Sequence, residues 1–286
     1  VTKNQKGITL MLVSAFFFSL MSMFVKLAGD LPSAEKAFFR NFLGMLITAV
    51  PIIRQRISFR MDREQSLYML LRVGSGTIAI LCNYYAFSHL ILSDASTIGR
   101  VSPFFVLLFS YLFIGEKPTK GQLACLVLAF AGVALVARPA CNSSRLGYII
   151  ALIGAVNMGL AQTGLRKVRL LHVDANLVIF CFSTFSTITC LLASLPVFKM
   201  PSTAQLLILL FVGLSGTCGQ FALTGAYTYA PGAQISVYDY SEMLFATIFS
   251  ICVFGEFPSS LSFIGYGVMI AAGLAMFKMQ RKAIAT

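Results

Sequence analysis

The chain has no tryptophan, two histidines and only ten acidic residues in 286. Its seven cysteines include no CxxC and no His–Cys cluster, so no metal-ligand set can be assembled from sequence spacing. No Walker or Rossmann glycine pattern and no nucleophile–base constellation occurs, which excludes ATP-driven transport and enzyme chemistry for this chain alone; no cofactor is expected. Charge is the largest shortage, at 11% of residues where a soluble domain carries about 25%. There is no polar stretch from which a separate soluble domain could be built. What is present is apolar: 58% of residues are hydrophobic and mean hydropathy is +0.84. This is the composition of an all-α integral membrane protein with little outside the bilayer. The net charge of +12 does not point to nucleic acid, because the basic residues sit in short loops between apolar runs, where such a surplus sets topology.

A helical span takes about 20 apolar residues. Ten fit: 8–28, 34–53, 67–90, 93–114, 120–137, 147–166, 174–196, 204–229, 232–254 and 259–278, with Pro32, Pro118, Pro139, Pro201, Pro231 and Pro258 at joints between them. The first run lacks a small-residue cleavage site and reads as a span rather than a cleaved leader. With the N-terminus in the cytoplasm, fourteen loop and terminal Lys and Arg residues lie inside and only Arg138, Arg145 and Lys199 outside. Both termini are therefore expected in the cytoplasm, in the cell (inner or plasma) membrane. Six cysteines (82, 125, 181, 190, 218 and 252) fall within apolar runs and read as small buried hydrophobes; Cys141 is in a loop.

Shifting the sequence by 140 lays the second half on the first without gaps. Ser75-Gly76-Thr77 meets Ser215-Gly216-Thr217, Phe109-Ser110 meets Phe249-Ser250, and Gly115-Glu116 with Pro118 meets Gly255-Glu256 with Pro258. The expected division is 1–140 and 141–286. Five spans per copy, an odd number, force the copies to be antiparallel. That is the inverted-repeat plan of secondary transporters, whose site lies near the midplane between the halves.

In this order along the chain, several segments resemble the EamA family of the drug/metabolite transporter superfamily. They are Leu12-Val13-Ser14-Ala15 through Lys26, Phe38-Phe39-Arg40-Asn41-Phe42, Tyr84-Tyr85-Ala86, Ser102-Pro103-Phe104, Gly115-Glu116-Lys117-Pro118, Arg166-Lys167, and Tyr240-Ser241-Glu242 followed by Phe245 and Gly255-Glu256. The first and third spans also resemble the G subgroup of the solute-carrier-35 proteins. The resemblance implies ten helices in two inverted five-helix repeats, a central cavity, and export or exchange of small metabolites. Met243 stands where the family carries a proline, and Arg100 where it carries an uncharged residue.

Charges at membrane depth need partners, water or a task. Those well inside spans are Arg40, Arg100, Asp239 and Glu242. Glu242, near the middle of span nine, is the candidate proton-coupling group or substrate counter-charge. Arg100 offers a planar fork for a carboxylate or phosphate, and its alternative is an internal ion pair with Glu242 or Asp239. Under the repeat, Arg100 corresponds to Tyr240 and Glu242 to Ser102. Two positions on an ideal helix differ by about 200°, so the two charges are expected on different faces of equivalent helices unless Pro103 bends span four. Arg40 reads as a packing or snorkelling residue with a possible substrate role, and Lys26 and Lys36 read as anchors near the outer loop. Tyr84, Asn157, Tyr238 and Gln220 are the uncharged candidates for lining the cavity, with Tyr238 four residues from Glu242 and so on its face. The expected function is secondary transport of a small organic anion or zwitterion, such as a carboxylate or amino acid, by a monomer or homodimer that binds a small molecule and lipid. The alternatives are export of cationic or aromatic compounds, and a non-transporting scaffold.

Overall fold

The computed structural model describes residues 3–115, 119–136, 145–229 and 236–285. The described residues are overwhelmingly helical. The first half comprises α1 (Lys3–Leu27), α2 (Ser33–Gln55), α3 (Arg63–His89), α4 (Leu92–Gly99), α5 (Ser102–Ile114) and α6 (Lys120–Val136). The second comprises α7 (Arg145–Leu170), α8 (Ala175–Ser194), α9 (Thr203–Tyr229), a 3-10 turn (Ser236–Tyr240), α10 (Ser241–Phe254) and α11 (Ser260–Ala285). These make ten spans, because α4 with α5 and the 3-10 turn with α10 are each one span in two pieces. Seven spans in the described residues are long and apolar enough to cross a membrane; the apolar stretches Leu123–Val136 of α6 and Ser260–Ala275 of α11 are shorter. The 140/141 division, Cys141, Pro118 and the expected start of span nine at 232–235 lie outside the described residues.

The sequence accounts for the ends and breaks. Asp174 caps α8, its carboxylate accepting from the backbone N–H groups of Asn176 and Leu177. Span four is interrupted at Arg100 and Val101, just ahead of Pro103 near the start of α5. A continuous helix would set the Pro103 ring against the carbonyl of residue 99, so the chain restarts there. α5 and α10 both end in a left-handed glycine, Gly115 (φ 82°) and Gly255 (φ 63°), 140 residues apart. A side chain at either would be strained.

The principal helix contacts all cross between the halves: α3 on α7, α1 on α9, α2 on α8 and α6 on α11. The first two pairs exchange under the 140-residue correspondence, and the last two each map onto themselves. The chain is therefore two interlocked inverted repeats. Small residues set the closest approach. A Cβ at Gly265 of α11 would lie 2.7 Å from the Gly132 carbonyl oxygen, and one at Gly132 of α6 would lie 3.1 Å from that of Gly265.

One expectation about packing fails. Cys125 and Cys190 are buried and Cys82 and Cys181 half-buried, but Cys218 and Cys252 are exposed. In a bilayer an apolar side chain on the outer face of a helix meets lipid, so it gains nothing from facing inward.

Candidate functional site

Arg100 caps α4 at the break in span four. One guanidinium nitrogen donates to Asp239 on the 3-10 turn and the other to Glu242 at the start of α10. Glu242 is buried, and Asp239 and Arg100 are only partly accessible. The expected separation of Arg100 and Glu242 onto different helix faces does not occur, because neither segment is an ideal helix at that point. Span four stops at Arg100, and span nine changes from 3-10 to α winding at Tyr240 and Ser241. Met243 in place of proline does not prevent this second irregularity, which falls within a residue of the position equivalent to the first. Asp239 is the third member of this ion-paired group.

The same change of winding removes the expected shared face of Tyr238 and Glu242. Tyr238 packs in a small apolar cluster with Met11 and Ala226, and its carbonyl accepts the Ser241 hydroxyl at 2.6 Å. Tyr240 lies against α11 at Gly273. Ser102 is buried at the start of α5, and its carbonyl faces Gly159 of α7. The Asn157 amide donates to the Ile153 carbonyl of its own helix at 2.9 Å.

A second group of candidates gathers elsewhere. Arg40 and Gln220 line a small recess between α2, α8 and α9, with Thr48, Phe182, Ser183 and Thr217. Tyr84, 2% exposed, donates its hydroxyl to the Met21 sulfur at 3.3 Å. Met21 and Arg40 both crowd Gly216, where any Cβ would meet them.

Sequence reading passed over two buried groups. Arg72 lies two and a half turns into α3 and is 8% exposed. Its guanidinium stands 4.7 Å from the Phe182 ring centroid. Asp94 of α4 is buried and accepts the hydroxyls of Tyr266 (2.6 Å) and Tyr148 (3.3 Å), joining α4, α11 and α7. Both charges stand within apolar spans of the sequence and could have been singled out there.

The end of the bundle at which α1 finishes is laced shut. Lys26 donates to Glu256 at 2.6 Å and to the Leu90 carbonyl at 2.8 Å, tying α1 to the segment after α10 and the α3–α4 joint. Lys36, fully buried, donates to the Gly29 carbonyl and to Ser88. Neither lysine is a solvated anchor.

Ten apolar spans in two inverted repeats, with charged groups held at interruptions of equivalent spans, define a membrane transporter of the inverted-repeat class. The model of the EamA-like transporter family matches residues 5–138 and again 145–278, and the chain belongs to that family. Among curated proteins it is 28% identical to the pseudopaline exporter CntI of Pseudomonas aeruginosa, over 97% of this chain and 98% of that one. It is 27% identical to human solute carrier family 35 member G1 (88% and 73%), and 21% identical to a riboflavin transporter of Rhizobium johnstonii (96% and 92%). One crystal structure, at 14% identity, superimposes with a TM-score of 0.69 over 98% of this chain and 99% of the other, a likeness of fold alone. The relatives are transporters and not enzymes. The chain is a multi-pass membrane protein that moves a small molecule.

Proposed function

We propose that the chain is a secondary exporter or exchanger of a small organic anion or zwitterion, of the carboxylate or amino acid class, working by alternating access with Glu242 as the proton-coupling group. The observation that carries this is the shared Arg100 guanidinium, forked between Asp239 and Glu242 where spans four and nine are interrupted. With both carboxylates ionised the triad holds one surplus negative charge, and a single proton cancels it. A proton on Glu242 releases one guanidinium nitrogen, which then donates to a substrate carboxylate while the other stays on Asp239. Loss of that proton restores the ion pair and expels the substrate. A zwitterion fits best, because its ammonium group meets Asp239 while its carboxylate meets Arg100. Ser102 and Tyr240, at the same two interruptions, complete this pocket. Tyr84, Asn157, Tyr238, Gln220 and Arg40 belong to the wider path. The two repeats, 1–140 and 141–286, rock about the site. The positive-inside distribution supports both termini on the cytoplasmic side of a cell membrane, and the exporter among the relatives supports outward transport.

The test is flux in proteoliposomes under an imposed pH gradient, using carboxylate, amino acid and cationic substrates. Wild type should move carboxylates or amino acids faster when the side that loads them is acid and the receiving side alkaline, because the proton is bound with the substrate and lost as it leaves. Glu242→Gln should lose the response to the gradient while retaining one-for-one exchange. Gradient-driven flux that survives Glu242→Gln unchanged overturns the coupling role. The surplus negative charge of the triad favours one rival, export of cations, and flux of cations alone would install it. No flux of any class would leave a scaffold.

A further inference from the structure

Asp94 of α4 is a buried acid that the Arg100 triad does not use. It is 2% exposed and lies within the apolar span Leu92–Phe113. Tyr266 of α11 donates to its Oδ1 at 2.6 Å, and Tyr148 of α7 to its Oδ2 at 3.3 Å. The Ser262 hydroxyl of α11 also reaches it. Among the described residues no lysine, arginine or histidine forms an ion pair with it. Lys26, the cation that α1 brings to this end, is held by Glu256, whose carboxylate bears on Asp94 with the same sign of charge. From α3 comes His89, exposed and stacked on Tyr85. The last turns of α6 carry no titratable group. Arg100, further along α4, is already shared between Asp239 and Glu242, the acid of α10.

An ionised carboxylate inside an apolar bundle is costly without a counter-ion, and a protonated one is far less so. One phenol on each oxygen works the other way, because a charged acceptor takes stronger hydrogen bonds than a neutral one. Burial and hydrogen bonding therefore pull Asp94 toward opposite protonation states. A proton needs no cavity, so the close packing around Asp94 leaves room for this ligand and for no larger one. The placement also matters. α4 belongs to the first repeat, and α7 and α11 belong to the second, so the two phenol bonds cross the interface between the repeats.

We propose that Asp94, with Tyr148 and Tyr266 as its donors, is a second proton-binding site, set at the interface of the two repeats and separate from the Arg100 triad. It goes beyond the coupling role of Glu242 and gives the chain two exchangeable protons in place of one. Its proton is read by spectroscopy without flux, so failure of Glu242 coupling would leave this site standing, and failure here would leave that coupling standing.

The test is infrared difference spectroscopy of the purified full chain in phosphatidylcholine vesicles. It follows the carbonyl stretch of protonated carboxyl groups as the pH is raised from about 5 to about 8, above the range in which free carboxyls titrate. Wild type should lose carboxyl intensity across that interval. Asp94→Asn should remove one component of the change, and that component should survive in Glu242→Gln. Tyr266→Phe takes away a donor to the ionised form, so Asp94 should hold its proton roughly tenfold or more tightly, the equivalent of one charge-assisted hydrogen bond, and keep its band to higher pH. A wild-type spectrum with no titrating carboxyl band, or a change that Asp94→Asn leaves intact, overturns the proposal. So does a change abolished entirely by Glu242→Gln, which would place the only exchangeable proton on Glu242. Should Asp94→Asn fail to fold, Tyr266→Phe decides the matter. A titrating band moved to higher pH supports the proposal, and a band lost at the wild-type pH overturns it.

Discussion

Arg100 is the residue on which the candidate transport site turns, because it serves two carboxylates at once. Removing it strands Asp239 and Glu242 with no cation between them. Arg100→Gln should cost about 3–5 kcal/mol, the usual penalty for breaking a buried ion pair from one side. Adding Glu242→Gln should recover part of that loss, and thermal unfolding of the single and double variants checks the sign. Asp94 presents a milder case. Its two phenol donors come from different helices, and Tyr266→Phe deletes the shorter bond. The expected cost is about 0.6–2 kcal/mol, typical of a side-chain hydrogen bond between membrane helices. The charges of Arg100, Asp239 and Glu242 were legible in the sequence as charges in apolar spans. An ion pair of Arg100 with Glu242 or Asp239 was legible as the alternative to a substrate role; that Arg100 takes both at once was not, because it depends on where the helices stop.

At the scale of the element, interrupted helices do the positioning. Pro103 marks the first break in the sequence, and the second has no proline to mark it. An ideal-helix reading therefore places Arg100 and Glu242 on different faces and Tyr238 with Glu242 on one face, and both placements fail for the same reason. Periodicity arguments assume uniform winding, and winding changes at these two points. The uninterrupted contacts are governed by side-chain size. Gly132 and Gly265 meet backbone to backbone, so Gly265→Leu should force α6 and α11 apart. The expected result is a drop of several degrees in the unfolding temperature, with Gly265→Ala causing a smaller drop, since one methyl group must still be accommodated 2.7 Å from a carbonyl.

Over the whole molecule, every principal helix pair joins one repeat to the other, so the two repeats share one extensive interface. The closure at the end where α1 finishes rests on Lys26, Glu256 and the Leu90 carbonyl. Lys26→Gln should loosen it and raise the labelling rate of a cysteine introduced just beneath, while Lys26→Glu with Glu256→Lys should restore the slow rate. Length, hydropathy, ten spans, the antiparallel duplication and the family were all determined by the sequence alone. These depend on the count and order of apolar runs, and the bilayer imposes that grammar one segment at a time. The tertiary structure alone decided which charges meet. Arg100 joins Asp239 and Glu242, and Asp94 joins Tyr148 and Tyr266. Each meeting brings together residues distant in sequence, and their approach is set by close helix packing and by the points where a helix gives way.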